Sequence, residues 1–255
     1  MKQEISILGC GWLGMALAFE LKNKGYNVKG SATSNNNFDK LKAKLVTPFI
    51  IDIKHRENDI SGFLLADILI ISITSKSIDD FKNLIAKIEN SKVRKVIFIS
   101  STSVYHNTNE VVTEESSTKK SALTEIEHLF RNNDIFQSTI IRFGGLFGYN
   151  RQPGNFIKSG KKMENPEGYI NLIHRDDCIQ IIEQIIVRNA WNKVLNACTD
   201  SHPTRRDFYS KEAEKLGKSQ VIFNEKSDNN YKIINSQKLK DLLDYEFIHK
   251  DLMNY

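Results

Sequence analysis

Short apolar runs alternate with longer amphipathic segments from the start of the chain. Runs rich in β-branched residues predict strands at EISILG, YNVKGSA, TPFIIDI, DILIISI, RKVIFIS and QSTIIRF. These runs are almost continuously apolar, as is typical of strands that helices cover on both faces. Between them lie helical patterns such as WLGMALAFELKNKG, in which Leu13, Leu17 and Leu21 share one stripe and Gly25 ends the helix. The alternation predicts an α/β fold built on a doubly wound parallel sheet.

The pattern changes near residue 149. Residues 148–168, GYNRQPGNFIKSGKKMENPEG, are polar, include two of the four prolines and show no strand pattern. Strand patterns return at YINLIH and KVLNAC, with a helix predicted between them from about Asp176 to Asn189. We therefore predict a Rossmann-type nucleotide-binding core over residues 1–148, to which residues 169–198 return, and a small C-terminal substrate lobe formed by residues 149–168 and 199–255.

Composition limits the function. The chain has 255 residues, a formal charge of +5 and lysines spread along its length, which favours a small anionic ligand over nucleic acid. The three cysteines, Cys10, Cys178 and Cys198, form no CxxC pair, as expected in a reducing cytoplasm. The most apolar run, residues 62–74, is interrupted by Asp67 and is too short to span a bilayer. These features predict a cytoplasmic protein with no membrane segment and no signal peptide, and they leave open a homodimer.

Gly9, Gly11 and Gly14 in ILGCGWLG have the spacing G-x-G-x-x-G directly after a predicted strand. In a dinucleotide-binding turn, the first glycine permits the tight bend, the second admits the pyrophosphate and the third lets the helix pack closely on the strand. The helix start at Trp12 and Leu13 then offers free N–H groups and a positive dipole end to the phosphates. The motif predicts a dinucleotide site, and the alternative is a tight strand–helix turn that binds nothing.

The second predicted strand ends without the acidic residue that commonly binds the ribose 2′-hydroxyl of NAD. The hydroxyls of Ser31, Thr33 and Ser34, together with Lys29, suit a 2′-phosphate better, although no arginine is present in this segment. The sequence therefore favours NADP slightly over NAD as the cofactor.

Three residues at the ends of later strands complete the predicted cofactor contacts. Asp52, at the end of the third strand, is either an acceptor for the adenine amino group or a turn residue. Ile73 lies at the end of the fourth strand, and Ser100 lies at the end of the fifth.

Five blocks of the sequence occur in an order that resembles one family: GCGWLG, FISSTSVY, RFGGLFG, NLIHRDD and LNACTDSHPTRRDFY. The chain resembles the NAD-dependent epimerase/dehydratase group of the extended short-chain dehydrogenase/reductases, and its glycine loop resembles the atypical members of that superfamily. The resemblance covers most of the chain. It implies a Rossmann fold, a nicotinamide cofactor and a nucleotide-sugar or similar substrate bound under the C-terminal lobe.

The resemblance also implies a hydride transfer assisted by a serine or threonine, a tyrosine and a lysine. In such enzymes the tyrosine exchanges the hydroxyl proton, the lysine lowers the tyrosine pKa, and the serine orients the substrate oxygen. Ser101 matches the family serine by its position before Val104 and Tyr105, and Ser100 and Thr102 are near alternatives.

The Tyr-x-x-x-Lys part of the family pattern is missing. Aligning Glu127 with the acidic residue one turn beyond that motif places Lys119 and Leu123 at the tyrosine and lysine positions, and a shift of two residues gives Ser117 and Ser121. Neither alignment contains the dyad. The proton-transfer half of the active site is therefore lost or replaced.

Lys119, Lys120, Tyr105 and Tyr169 are the candidates for a replacement acid/base group. A lysine can serve if burial and a positive nicotinamide lower its pKa, and Tyr105 lies just beyond Ser101. The structural alternatives are solvated lysines in a first helical turn and packing tyrosine rings. We assign Ser101, Lys119 and Tyr105 as the candidate catalytic set.

Basic residues are concentrated where the substrate phosphate is expected. Arg142 ends a predicted strand, and Arg151, Lys158 and Lys161 follow in the polar loop. Guanidinium and ammonium groups suit a pyrophosphate, although a basic surface loop gives the same pattern. His174 is interpreted as a strand-end hydrogen-bonding group, and no spacing of His, Cys and Asp predicts a metal site.

The sequence leaves two functions open. The first is an NAD(P)-dependent enzyme of the epimerase/dehydratase type that acts on a nucleotide-sugar-like substrate with a non-standard acid/base group. The second is a non-catalytic NAD(P)-binding sensor or regulatory protein. The missing tyrosine and lysine favour the second function, and the retained Ser101 and the basic loop favour the first.

Overall fold

The structure, a computed structural model, describes residues 3–158 and 160–255. The chain divides into two compact units, the first with residues up to 100, 120–141 and 182–194, and the second with residues 101–119, 142–181 and 195–255. The chain passes between the units five times, so no single cut separates them. The core predicted over residues 1–148 therefore differs from the first unit, because residues 101–119 and 142–148 belong to the second.

The described residues form the following strands and helices. The strands are β1 (Glu4–Leu8), β2 (Asn27–Ala32), β3 (Thr47–Ile50), β4 (Ile68–Ile71), β5 (Lys95–Ser101), β6 (Val111–Val112), β7 (Gln137–Phe143), β8 (Gly145–Phe147), β9 (Leu172–His174), β10 (Val194–Ala197) and β11 (Ile233–Ile234). The helices are α1 (Trp12–Asn23), α2 (Phe38–Ala43), α3 (Ser61–Leu64), α4 (Ile78–Glu89), α5 (Ala122–Arg131), α6 (Arg175–Val187), α7 (Arg205–Lys215) and α8 (Gln237–Leu243).

Seven of the strands form one sheet in the order β10-β7-β5-β4-β1-β2-β3. β1 pairs in parallel with both β2 and β4, and the pairs β2–β3 and β4–β5 are parallel as well. The prediction of an α/β fold with a doubly wound, Rossmann-type parallel sheet is confirmed. The strand order reverses at β1, and ligands bind beyond the carboxyl ends of the strands at such a switch point.

The predicted strand YINLIH lies outside the main sheet. It forms β9, which pairs in parallel with β8 in a separate two-stranded sheet. Gly145 permits this close pairing, because a Cβ atom there would lie 2.6 Å from the side chain of Leu172. Of the residues predicted to return to the main sheet, those of β10 do so and those of β9 do not.

Each unit has its own apolar core. In the first, the buried rings of Phe98 and Phe130 stack with their centres 4.9 Å apart, and Phe81 meets both edge-on. Full burial of such a side chain contributes roughly 1.5–3 kcal/mol. In the second unit, Phe147 and Phe208 belong to a separate buried cluster. Within the described ranges, no helix is both long and apolar enough to cross a membrane.

Candidate nucleotide and anion sites

The glycine loop after β1 has the geometry that a phosphate requires. Gly9 adopts a φ of +99°, which L side chains rarely adopt. A Cβ atom on Gly14 would lie 2.2 Å from the carbonyl oxygen of Gly9. Only glycine at position 14 therefore lets α1 approach the loop this closely. Beside Gly11 the space is open, with no atom within 4 Å of a Cβ built there. The loop therefore has no room for a side chain at Gly9 or Gly14 on its protein side, and it is open beside Gly11, where a ligand would approach.

A cavity of about 490 Å³ lies in the first unit, within the range of small-molecule sites. Segments that follow β1, β2, β3 and β4 line it, and its lining includes six of the predicted cofactor residues: Gly9, Gly11, Thr33, Ser34, Asp52 and Ile73. Sequence reasoning missed other polar lining residues, namely Asn37, Lys54, Ser72, Thr74 and Ser75. Their position after successive parallel strands was a signal that could have found them. We call this the nucleotide cavity.

Ser31 and Lys29 do not line the nucleotide cavity, contrary to their predicted contact with a 2′-phosphate. Ser31 is buried, and its hydroxyl accepts a hydrogen bond from the Gly9 N–H at 3.1 Å. The Lys29 ammonium donates to the carbonyl oxygens of Gly62 and Leu65 at 3.0 and 2.6 Å. Ser31 therefore holds the glycine loop in place, and Lys29 is bound elsewhere in the first unit.

Two further predicted cofactor residues have buried side chains. Leu13 packs in the core of the first unit, so only its backbone is available to a phosphate, while Trp12 beside it is half-buried. The Ser100 hydroxyl donates to the carboxylate of Glu127 at 2.5 Å, and both residues are buried. This contact ties β5 to α5 and makes Ser100 a structural residue in this conformation.

Asp52 lines the nucleotide cavity and also takes part in a turn, which was the alternative to its predicted role as an adenine acceptor. Its Oδ1 accepts a hydrogen bond from the Lys54 N–H at 3.1 Å. Its carbonyl oxygen also accepts from the His55 N–H at 3.1 Å. The carboxylate therefore shapes the turn after β3 at the edge of the cavity.

In the second unit, Ser101 begins a short 3₁₀ turn at residues 102–104. Its Oγ accepts a hydrogen bond from the Ser103 N–H at 3.1 Å, and the residue remains partly exposed. Thr102, the neighbouring alternative, is buried. Of the predicted serine and threonine candidates Ser100, Ser101 and Thr102, Ser101 is thus the one that is not buried.

Tyr105 and Arg142 form a buried pair in the second unit, which argues against their predicted roles. The Tyr105 hydroxyl donates to Asn196 Oδ1 at 2.8 Å and accepts from the Arg142 guanidinium at 2.7 Å. Tyr105 is fully buried and Arg142 is 3% exposed, with the guanidinium 5.0 Å from the ring centre. Burial raises the pKa of Tyr105 despite the opposing effect of Arg142. The tyrosine is therefore poorly placed as a proton donor to substrate, and the arginine as a clamp for its pyrophosphate.

Lys119 has an unexpected neighbour, Lys232. Lys119 is partly exposed, and its N–H donates to the carbonyl oxygen of Val104. The Lys232 ammonium donates to the Tyr105 carbonyl oxygen at 3.0 Å and to Asn107 Oδ1 at 3.3 Å. Burial, followed by the charge of Lys119, lowers the pKa of Lys232 to about 8. Sequence reasoning could not find Lys232, because it lies far along the chain in no recognisable motif.

The two remaining acid/base candidates are Lys120 and Tyr169. Lys120 is exposed and belongs to the first unit. Tyr169 packs edge-on against Tyr231 with the ring centres 4.8 Å apart, as a packing ring does.

A second cavity, of about 430 Å³, lies within the second unit and is strongly basic. Its lining includes five cationic residues and, among the residues described there, no acidic one; the cations are Lys158, Lys161, Lys162, Arg205 and Lys218. Arg205 Nε is buried and has no hydrogen-bond partner among the described residues. Arg151, predicted for the same ligand, is exposed and is not part of this lining. We call this the basic cavity, and its charge suits a phosphate group.

Comparisons with known proteins agree with the fold. No family model matches the chain. The chain is similar to Protein YeeZ of Escherichia coli K12, with 27% identity in an alignment 267 positions long that covers 98% of this chain and 97% of YeeZ. It is similar in structure to a conserved protein of unknown function from Silicibacter pomeroyi, with a TM-score of 0.83, 18% identity and coverage of 99% and 96% of the two chains.

A further structural neighbour is a UDP-glucuronic acid 4-epimerase from Bacillus cereus in complex with UDP-glucuronic acid and NAD. The TM-score is 0.78, with 20% identity over 95% of this chain and 93% of the epimerase. The neighbours of this chain therefore include UDP-sugar epimerases that bind NAD. At these identities, the likeness shows a shared fold.

Proposed function

We propose that this protein binds a nicotinamide dinucleotide in the nucleotide cavity and a nucleotide-sugar-like anion in its second unit, and that it transfers a hydride between them. The observation that carries the proposal is the glycine loop at the switch point of the sheet. Its protein side is closed by Gly9 and Gly14, whereas the space beside Gly11 is open to a pyrophosphate. The first N–H groups of α1 complete the phosphate site.

NADP is the preferred form of the cofactor in this proposal. A 2′-phosphate carries negative charge, and Lys54 lies in the lining of the nucleotide cavity with the hydroxyl residues Thr33 and Ser34. The nearby carboxylate of Asp52 accepts the N–H of Lys54 and so has part of its charge satisfied by the turn. Lys54 thus takes the role that the sequence had assigned to Lys29.

The substrate proposal rests on the basic cavity. Phosphate oxygens bind strongly to guanidinium and ammonium groups, and five such groups line one cavity without a described carboxylate among them. The structural neighbours bind UDP-sugars, which carry a diphosphate of this kind. A nucleotide-sugar diphosphate therefore fits the charge of this cavity, with Lys158 and Lys161 among its ligands and Arg205 as an addition.

A bound nicotinamide would accept or donate the hydride, and a group of the chain would remove the hydroxyl proton in the first case and return it in the second. Ser101 orients the substrate oxygen through its partly exposed hydroxyl. The lysine pair Lys119 and Lys232 replaces the missing tyrosine, because a pKa of about 8 allows Lys232 to exchange a proton near neutral pH. Tyr105 takes no part in this scheme, since its hydroxyl is buried and engaged at both ends.

A second candidate function is a cofactor-dependent sensor without catalysis. It is favoured by the absence of a Tyr-x-x-x-Lys dyad near residue 119 and by the burial of Tyr105. In that case the protein binds the dinucleotide and a ligand or partner but has no turnover.

The cofactor proposal is tested by titration with NADH and NADPH. The chain has two tryptophans, so a Trp191→Phe background leaves Trp12 at the start of α1 as the reporter of energy transfer to a bound nicotinamide. Both forms should quench Trp12, NADPH at lower concentration. Gly11→Ala fills the open space without left-handed strain, since φ is −82°, and should raise the Kd roughly tenfold or more.

Gly62→Ala is the matched control in the same unit. Its added Cβ meets only Phe49 at 3.8 Å, and Gly62 does not line the nucleotide cavity. The control should bind both nucleotides as the parent does. If the parent binds neither nucleotide, or if Gly11→Ala binds as tightly as the parent, the cofactor proposal fails.

Ser101→Ala separates the enzyme from the sensor. With NADP⁺ and a panel of UDP-sugars, an enzyme should lose turnover in this variant while it retains the parent Kd for cofactor. If the parent itself shows tight cofactor binding but no turnover on any member of the panel, the sensor function is supported instead.

A further inference from the structure

Three metal-ligating side chains meet in the second unit, apart from the basic cavity and the lysine pair. They are His174 at the end of β9, Asp176 in the first turn of α6 and His249 in the C-terminal segment. Each residue offers one ligand atom, and these three atoms all lie within 4.8 Å of one another. The sequence predicted no metal site, because His249 is far from the other two residues along the chain.

The distances from Asp176 to the two histidines match a tetrahedral site. His174 Nδ1 lies 3.4 Å from Asp176 Oδ2, and His249 Nε2 lies 3.5 Å from the same oxygen. Four ligands at roughly 2.0–2.2 Å from a central ion are about 3.3–3.6 Å from one another. Two of the three distances between ligand atoms, those from each histidine to Asp176 Oδ2, therefore already have the length expected around a tetrahedral ion.

Other groups hold the ligands in position. Asp176 Oδ1 accepts a hydrogen bond from the Tyr149 hydroxyl at 2.8 Å, which leaves Oδ2 facing the histidines. The carboxylate of Asp177 accepts the backbone N–H groups of Ile248 and His249 at 2.6 and 3.2 Å. Such outer contacts orient ligands in metal sites. Asp177, the residue next to Asp176, thus holds the segment that carries His249 in place.

Three local features oppose a cation. The ring centres of His174 and His249 are 3.6 Å apart at an interplanar angle of 42°, so the rings must move apart for both nitrogens to bind one ion. The other two features are weaker. The Asp176 N–H approaches His174 Nδ1 at 3.3 Å, which is long for a hydrogen bond and easily displaced. The Arg175 guanidinium lies 3.9 Å from the centre of the Tyr149 ring, but Asp176 and Asp177 bring two carboxylates to the same turn. Their negative charge offsets that of the arginine.

We propose that His174, Asp176 and His249 bind one late first-row divalent cation, with zinc as the representative ion and the fourth position open to water. Two imidazoles and one carboxylate suit zinc and its neighbours, whereas magnesium and calcium prefer all-oxygen sites. The ion would join the start of α6 to the C-terminal segment. This site is independent of the proposed dinucleotide and substrate functions.

Cobalt(II), which reports its own coordination by visible absorption, is the first probe. Metal-stripped protein should bind one cobalt(II) ion per chain with the intense bands of a tetrahedral site, and zinc should displace it. His249→Ala should weaken binding roughly 100-fold or more, beyond the 10–100-fold effect expected for the outer variant Tyr149→Phe.

His55→Ala is the matched control. His55 Nδ1 lies 3.4 Å from Glu57 Oε1, which is the same separation as in the proposed site, and the described residues supply no third ligand there. This variant should bind cobalt as the parent does. No uptake by the parent, or equal uptake by the parent and His249→Ala, would overturn the proposal.

Zinc should also raise the Tm of the metal-stripped parent by mass action, and should not raise that of His249→Ala. This readout does not depend on catalysis. A Tm rise of equal size in both proteins would count against the site.

Discussion

The nucleotide cavity and the basic cavity are both suited to phosphate groups, but the first offers mainly backbone groups and the second offers charged side chains. The nucleotide cavity uses a short stretch of backbone, with Gly9, Gly11 and Gly14 around the first turn of α1, and its charged lining residues are Asp52 and Lys54. The basic cavity uses five cationic side chains contributed by the loop after β8, the start of α7 and the segment that follows α7. The first binds by oriented dipoles and shape, and the second by net charge.

This difference determines how each cavity responds to change. Backbone N–H groups are held in place by the fold and bind a phosphate by direct hydrogen bonds, whereas the attraction of exposed ammonium groups is screened within about 10 Å at 0.1 M salt. A glycine substitution in the loop should therefore impair the nucleotide cavity by distorting its backbone. A charge substitution should weaken the second without affecting stability.

The largest effect is expected from Gly14→Val, whose side chain would distort the backbone of the glycine loop in the nucleotide cavity. Its Cβ would lie 2.2 Å from the Gly9 carbonyl oxygen, a backbone atom that cannot move without opening the sheet at β1. We expect a loss of about 3 kcal/mol in the free energy of urea unfolding, together with loss of nucleotide binding. The control Gly62→Ala should change the unfolding free energy by less than about 0.5 kcal/mol. Wild-type stability in Gly14→Val would mean that the close approach of α1 to the loop is not required.

The double substitution Lys161→Gln with Arg205→Gln tests the second cavity. Removing two of its five cationic groups should weaken the binding of inorganic diphosphate by roughly 10–30-fold, because each charged contact contributes about 1 kcal/mol. The effect, measured by calorimetry, should shrink as salt is raised, while nucleotide binding in the first unit changes little.

Lys226→Gln is the control for that charge change. Lys226 is an exposed residue of the second unit that does not line the basic cavity. It should leave diphosphate binding within about twofold of the parent, since surface charges contribute little. If it weakens binding as much as the double substitution, general surface charge explains the affinity and the cavity does not.

Lys54→Gln sharpens the assignment of the nucleotide cavity. Lys54 is the one cationic residue in its described lining, so the NADPH Kd should rise roughly fivefold while the NADH Kd stays within about twofold. The ratio of the two Kd values is the measurement. An equal change for both nucleotides would place Lys54 away from the 2′-phosphate.

The parts that could be predicted from sequence depend on contacts between near neighbours. The strands of the main sheet follow from apolar runs, and the glycine loop follows from three residues within one turn, so both could be identified before the structure was known. The side-chain directions within those elements were harder. Ser31 lies near the end of β2 as expected, yet its hydroxyl turns inward and accepts a hydrogen bond from the Gly9 N–H.

The parts that could not be predicted depend on distant segments. Tyr105 was a candidate acid because it follows Ser101, but Asn196 and Arg142 meet its hydroxyl from two other strands and bury it. Lys232 approaches the same region from β11 and its flanking residues, and Arg205 and Lys218 join Lys158 only in the folded chain. A single sequence contains no local pattern that predicts contacts between residues so far apart along the chain.

The smallest predicted effect concerns the lysine pair of the second unit and is seen as a dependence of stability on pH. The pKa of Lys232 is lowered to about 8, from 10.5 for an unperturbed lysine, by burial and by the charge of Lys119. Between these two values the unfolded chain binds more protons than the folded one, so the stability of the parent should rise with pH across this window. Below about pH 8 the full cost of burying the charge is present.

Comparison with Lys232→Met isolates this contribution, because thiols and tyrosines that titrate in the same range cancel in the difference. Relative to the variant, the parent should gain on the order of 1 kcal/mol or less in unfolding free energy between about pH 7.5 and 10, since partial exposure of the ammonium screens the effect. Lys119→Gln should reduce the gain, because it removes one of the two causes of the lowered pKa. If the unfolding free energy of the parent, relative to that of Lys232→Met, stays constant or falls as the pH rises, the pKa of Lys232 is not lowered, and the proposed proton transfer would then lose its donor.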